Sequence, residues 1–301
     1  MSTSAPTPGE SSQRETVVLS DGRTAQLVAR DGGWSLEVDG VRQSHVGRAG
    51  DPPRLAAVRW MLAALGRSGP IRCAHLGGGL LALPRAIAEG RPGSRQLVIE
   101  LDPVLVELTR NRFSIPEGVE VQVGDARAWL HTAAGHDFDA VVIDVFTGGR
   151  IPPAFTSAEC FAAAREAISE HGVLVMNSVA GPELDFTRRQ LATLRAVFGH
   201  VAMIVQGSAL KGMRFGNATL IASRAALDHD AIRAELVDDS SRGALVTDVE
   251  PLIADAGVVH DRDELWSPEP DLPDLDTPLR LIEEAKQMLR QARGRQPEQG
   301  D

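Results

Sequence analysis

Tyrosine is absent from the 301-residue chain, and only two cysteines occur, Cys73 and Cys160. Two thiols are too few for a disulfide framework. Cys73 stands inside an apolar run and reads as a small buried residue. A basic block is also missing. Lys and Arg number 31 against 41 Asp and Glu, a net charge of −10 spread along the chain. A phosphate backbone needs clustered cations, so nucleic acid is not expected as a partner. No apolar run reaches a membrane span, and the N-terminus lacks the layout of a signal peptide. No membrane partner is therefore expected, and the expected location is the cytoplasm. No His/Cys/Asp/Glu set has metal-ligand spacing, and neither a P-loop nor a G-x-S-x-G turn occurs. What the chain does carry points to a small-molecule substrate.

The informative stretch is residues 71–102, IRCAHLGGGLLALPRAIAEGRPGSRQLVIELD. A short apolar run ends in Gly77, Gly78 and Gly79, as a buried parallel strand entering a turn would. Leu80, Leu83 and Ile87 then recur at helical spacing, with Pro84 close enough to the helix start to be tolerated. A second apolar run, 96–99, ends in Glu100. This is a βαβ unit whose glycines let a ligand approach the backbone, with Ala82 at the third small position of G-x-G-x-x-G/A. Glu100 at the second strand tip is placed to bind a ribose diol.

Residues 1–14 are rich in Ser, Thr and Pro and read as a disordered tail. Residues 15–52 alternate in short runs punctuated by Asp21-Gly22, Asp31-Gly32-Gly33 and Asp39-Gly40, which predicts a small antiparallel β-hairpin domain. Residues 53–224 begin with a helix and then alternate strand and helix. Strands are expected at 71–76, 96–99, 119–123, 139–144, 173–177, 201–205 and 217–222. That alternation predicts an α/β fold with a doubly wound, mostly parallel sheet. Residues 145–155 form a Gly- and Pro-bearing loop long enough to close over a substrate. Residues 225–301 read as a C-terminal helical extension and tail, with an acidic, proline-bearing segment at 267–276 and a disordered end after 291.

Ligands of such sheets collect at the carboxyl ends of the strands. Four consecutive strands here end in the glycine triplet, Glu100, Gly124-Asp125 and Asp144. A ring of carboxylates is hostile to a pyrophosphate, which prefers helix N-termini and cations. It suits an adenosine that carries a positive sulfonium, with Glu100 on the ribose, Asp125 on the adenine amino group and Asp144 facing the sulfonium or the nucleophile. Asp125 and Asp144 could equally cap the following turns. His75 in the first strand reads as a core histidine. His45 reads either as a residue reaching the site or as an exposed loop residue.

The order GGG, VIELDP, VGDAR, VVIDVF resembles class I S-adenosylmethionine-dependent transferases, and specifically the spermidine synthase (polyamine aminopropyltransferase) family. The segment LEVDGVRQS is similar to that family's hairpin, which makes Gln43 the counterpart of a glutamine lining the sulfonium site. The resemblance implies a seven-stranded methyltransferase-like sheet, a small N-terminal β-domain and a possible homodimer. It also implies that Glu100 binds ribose, that Asp125 and Ala126 bind adenine, and that Asp144 is the catalytic proton acceptor. Three departures bear on the reaction. The aspartate of the family's GGGDGG is Leu80 here, the second aspartate of D-x-x-D is Thr147, and the family's groove tyrosines have no counterpart in a chain without tyrosine. Burying a cationic donor and a diamine without paired carboxylates costs several kcal/mol, roughly. S-adenosylmethionine, whose own carboxylate offsets its amine, is therefore favoured over decarboxylated S-adenosylmethionine, and methyl transfer over aminopropyl transfer. Glu183 or Asp185 could supply the missing charge. Two further alternatives are a degenerate nucleoside-binding or scaffold protein and a nicotinamide-dependent oxidoreductase.

Overall fold

The computed structural model describes residues 13–66, 69–181, 184–211 and 215–269. Residues 1–12 of the predicted tail, Glu183, most of the segment 267–276 and the end after 291 lie outside the described residues. Arg14, the last position read as tail, opens the first strand.

Four antiparallel strands come first: β1 (Arg14–Val18), β2 (Thr24–Arg30), β3 (Gly33–Val38) and β4 (Val41–Val46), paired in sequence order. Their turns are the Asp-Gly pairs. At Asp31-Gly32 and Asp39-Gly40 both residues have positive φ, the two-residue form whose twist suits a hairpin. The inner face of this sheet carries Ala25, Leu27, Leu36 and Val38, which pack with Leu80, Leu105 and Leu108 of the main domain.

Helix α1 (Ala56–Leu65) leads into β5 (Arg72–Leu76), α2 (Ala82–Gly90), β6 (Arg95–Glu100), α3 (Pro103–Arg112), β7 (Val119–Val123), α4 (Ala126–Leu130) and β8 (Phe138–Ile143). After a long connection come α5 (Ala158–Ala167), β9 (Ile168–Ala180), α6 (Asp185–Val197), β10 (His200–Gln206), the short α7 (Gly207–Leu210) and β11 (Gly216–Ser223). The chain continues through α8 (His229–Leu236), β12 (Gly243–Val246) and a short α9 (Glu250–Ile253). The large sheet runs β12-β10-β11-β9-β8-β5-β6-β7. Pairs among β9, β8, β5, β6 and β7 are parallel, and those joining β9, β11, β10 and β12 are antiparallel.

Both faces of this sheet are covered, and strand residues alternate between two cores. Cys73, Val142, Val175, Ile204 and Ile221 pack with Trp60 and Met61 of α1. Ala74, Ile143, Met176, Val205 and Leu220 pack with α5 and α6 through Phe161, Leu191 and Leu194. All seven strands read from the sequence are present, and an eighth, β12, extends the edge. Its place depends on Gly243, because a Cβ there would lie 2.4 Å from the Trp60 indole nitrogen. Four residues of modest apolarity give no periodicity of their own, which is why the sequence reads as helical extension there. No helix among the described residues is long and apolar enough to cross a membrane.

His75 sits inside β5 at 2% exposure, with Nε2 2.9 Å from Gln96 Oε1, and the Gln96 amide donates to Pro84 O. Because that amide faces a carbonyl, Gln96 Oε1 is the acceptor and His75 donates through Nε2. Burial pushes the His75 pKa down to about 4, against a smaller upward pull from Gln96. The folded protein thus disfavours the proton that an unfolded histidine takes up near pH 6.5, roughly. This contribution is complete above that pH and is lost as the pH falls toward the folded value, on the order of 3 kcal/mol in all. Urea unfolding of wild type and His75→Gln between pH 7 and pH 4, roughly, should show the steeper acid loss in wild type. Parallel pH profiles would refute this.

Candidate functional site

The site is built around the turn between β5 and α2. Gly77 has φ +91°, and a Cβ on it would lie 2.2 Å from the carbonyl oxygen of Asp144, so only glycine permits this approach. Two backbone bonds fix the turn against its neighbours, Gly77 N to Ile99 O and Asp144 N to Leu76 O, both 2.9 Å. Gly78 N and Gly79 N then donate to Glu100 Oε2 at 2.8 and 3.2 Å, while Asp102 N donates to Oε1 at 3.1 Å. The strand-tip carboxylate is therefore oriented by three backbone amides before any ligand arrives. Thr109 Oγ1 donates to Gly79 O at 3.3 Å, and Ser44 Oγ accepts from Leu80 N at 3.3 Å. Behind Glu100 lies a void of about 10 Å³, room for one water at most.

Ser44 brings the N-terminal sheet to the turn. The β3–β4 register skips Gln43, with Leu36 opposite Ser44 and Glu37 opposite Arg42, so Gln43 is the extra residue of a β-bulge and is half-buried. Bulges re-aim side chains next to sites. A second tie is Asp102, whose Oδ1 caps α3 through Val104 N and Leu105 N. Its Oδ2 accepts from Ser20 N at 2.8 Å and Ser20 Oγ at 2.5 Å.

Asp144 follows β8 and is partly buried. Asn177 Nδ2, on β9, donates to its Oδ1 at 2.8 Å. Burial raises the Asp144 pKa, the Asn177 bond opposes that rise, and the nearby Glu100 charge adds to it. Glu100 and Asp144 flank the glycine turn from either side, and neither pairs with a cation among the described residues. Asp125 is exposed and caps α4, with Oδ1 accepting from Arg127 N at 2.7 Å and Ala128 N at 3.2 Å. Ala126 is 8% exposed and packs into the core. Leu101, next to Glu100 in the chain, is 68% exposed. His45 is buried rather than in an exposed loop, with Nδ1 3.0 Å from Ser35 Oγ.

Leu80 does not line an open site. It is fully buried in the cluster with Leu27, Leu36, Leu105 and Leu108. Leu81 at φ +60° takes a left-handed conformation that costs roughly 1–2 kcal/mol outside glycine. It is only 2% exposed, and burial of a leucine side chain is worth about 1.5–3 kcal/mol, enough to offset the strain.

The connection after β8 is the loop read in the sequence, and it is held at several points. Thr147 and Arg150 exchange backbone hydrogen bonds around Gly148-Gly149, both at positive φ, in a tight hairpin. Ile151 is fully buried, and Ser267 exchanges bonds with it in both directions. Thr156 is held to Leu265 O, and Asp261 binds both Ser157 Oγ and Arg127. A C-terminal stretch thus straps this connection down. Beside it a cleft of about 460 Å³ is lined by Arg127, Pro153, Ala154, Asp261, Glu264 and Trp266. The sequence reading missed Asn177, Ser44, Asp102 and this strap. A polar residue ending the apolar run VLVMN signalled Asn177, and nothing local marked the strap.

No family model matches the chain. It is 33% identical over 128 residues to a polyamine aminopropyltransferase of Vibrio vulnificus, a match covering 41% of this chain and 42% of that protein. Its structure superposes on a probable spermidine synthase of Corynebacterium glutamicum with TM-score 0.74 and 27% identity, over 88% of this chain and 99% of the other. The chain is thus similar to spermidine synthases over most of its length. A spermidine synthase of Thermotoga maritima shares the fold at TM-score 0.56 and 15% identity, over 79% and 87% of the two chains. An N-terminal histidine N-methyltransferase of Emericella nidulans is 24% identical over 163 residues, 52% of this chain and 26% of that protein. The spermidine-synthase-like sheet and small N-terminal sheet are thus as expected, with β12 as an added edge.

The Leu81 geometry is testable on its own. Leu81→Ala should cost about 2–5 kcal/mol, as buried leucine truncations do. Leu81→Gly should cost about 1 kcal/mol less than Leu81→Ala, because it relieves the left-handed strain. Denaturant unfolding in which glycine proves the worse replacement would contradict the assignment.

Proposed function

We propose that the protein is a transferase that uses S-adenosylmethionine, with methyl transfer to a small, amine-bearing acceptor as its reaction. The observation that carries this reading is Leu80. The aspartate that would hold the ammonium of a decarboxylated donor is replaced by a leucine sealed in the apolar cluster beneath the N-terminal sheet. Thr147, in place of the second aspartate, is tied into the hairpin with Arg150. A donor with its own carboxylate needs neither charge.

The residues fit an adenosyl sulfonium. Glu100 is held at its strand tip by backbone amides; Oε2 already accepts from two of them, and Oε1, which accepts from one, keeps a lone pair for a diol hydroxyl. The glycine turn keeps side chains out of the approach, and Gln43 stands beside Ser44 on the strand that touches the turn. Asp125 and Ala126 would border the adenine. No guanidinium or ammonium among the described residues neutralises Glu100 or Asp144, which leaves their charge for a cationic ligand. When bound, such a donor supplies an electrophilic carbon on a positive sulfur. The chain's part is to align the nucleophile and take its proton. Asp144, with a pKa raised by burial, is a stronger base than an exposed aspartate and would accept the proton that the acceptor loses.

Aminopropyl transfer from decarboxylated S-adenosylmethionine is the second reading, favoured by the similarity to polyamine aminopropyltransferases of Vibrio vulnificus and Neisseria meningitidis. Titration calorimetry separates the two. S-adenosylmethionine and S-adenosylhomocysteine should bind, the decarboxylated donor should bind at least about tenfold more weakly, and NAD should not bind. Glu100→Gln, which turns one accepting oxygen into a donor, should weaken S-adenosylhomocysteine binding by about tenfold or more with the fold intact by circular dichroism. Tight binding of the decarboxylated donor, with spermidine formed from putrescine, would replace methyl transfer by the second reading. No binding of any sulfonium nucleoside would leave a scaffold role.

A further inference from the structure

The Asp144 carboxylate is not left to choose its own orientation. Asn177 is 8% exposed and donates from Nδ2 to Asp144 Oδ1 at 2.8 Å. Its own amide could be turned either way, but an ionised Asp144 carboxylate only accepts, so the Asn177 NH₂ faces it. Asn217, exposed on the antiparallel neighbour β11, lies with Nδ2 3.5 Å from Asn177 Oδ1. Asn177 Oδ1 is thereby left to accept from the Asn217 amide. Asp144 Oδ2 has no hydrogen-bond partner among the described residues, so the carboxylate presents one committed and one free oxygen.

We infer that Asn177 is a positioning residue that fixes Asp144 so that Oδ2 alone is available to take a proton, with Asn217 on β11 donating to the Asn177 amide oxygen. Taking Asp144 as the proton acceptor rests on the functional reading above; the orientation and its electrostatic effect do not. An amide at this position has a specific consequence. It stabilises the charged form of Asp144 without adding charge, so it limits the rise caused by burial and by Glu100, the charged group facing Asp144 across the glycine turn. A carboxylate there would push the pKa further up, and an aliphatic residue would leave burial unopposed.

The test needs neither donor nor acceptor and uses the full chain. In the unmodified protein, the side-chain amide resonances of Asn177 should titrate with the same midpoint as the Asp144 carboxyl carbon followed by ¹³C NMR. In Asn177→Ala, the Asp144 midpoint should move to higher pH. An Asn177 amide that stays flat through the Asp144 titration, or an unchanged midpoint in a folded Asn177→Ala protein, overturns the proposal. If that variant does not fold, the measurement on the unmodified chain decides alone. Coupled titration in a protein that binds no sulfonium nucleoside would uphold the positioning and reject the transferase reading. Uncoupled titration in a protein that does bind one would do the reverse.

Discussion

The close approach of two backbones at Gly77 is the constraint from which the site follows. The carbonyl of Asp144 occupies the space a side chain at position 77 would need, so the ends of β5 and β8 are held at contact distance. From that contact the turn is aimed at β6, where Glu100 collects its amides, and Asp144 is held at the opposite flank. Two carboxylates from different strands are thereby placed without relying on any one long side chain. The glycine acts here by its lack of volume as much as by its positive φ.

Around this point the protein spends polar contacts on joining parts that apolar packing alone would leave free to slide. Asp102 joins the N-terminal sheet to α3 through a single carboxylate, one oxygen to the helix and one to Ser20. Apolar burial at Leu27, Leu36, Leu80, Leu105 and Leu108 supplies most of the attraction between the same two parts. It is non-directional. The hydrogen bonds of Asp102 and Ser44 choose one register of the sheet over the turn, and with it the position of the bulge at Gln43.

The order of strands and the hairpins were legible because they rest on local signals: apolar runs of strand length, and Asp-Gly pairs that accept positive φ. Glu100, Asp144 and the glycines were legible for the same reason, since strand ends in a parallel sheet converge by topology. What escaped depended on distant partners. The role of Leu80 is a property of the sheet packed on it, not of its neighbours in sequence. Asp125 reads in sequence as a ligand acid or as a helix cap, and the cap is what its bonds make. Asn177 belongs to the site only because β9 lies beside β8. The strand β12 owes its existence to a glycine passing over Trp60, a contact across most of the chain.

The strap along residues 259–268 bears on the order in which the protein becomes competent. Ile151 and Ser267 are 116 residues apart in the chain, so the wall next to Asp144 cannot take its described form while the ribosome is still working through the intervening stretch. At a synthesis rate of roughly 5–20 residues per second that interval is on the order of ten seconds. The glycine turn and Glu100 can assemble well before it ends. During biosynthesis the glycine turn and Glu100 can therefore come together first, and the connection after Asp144 is tied down only after Ser267 emerges.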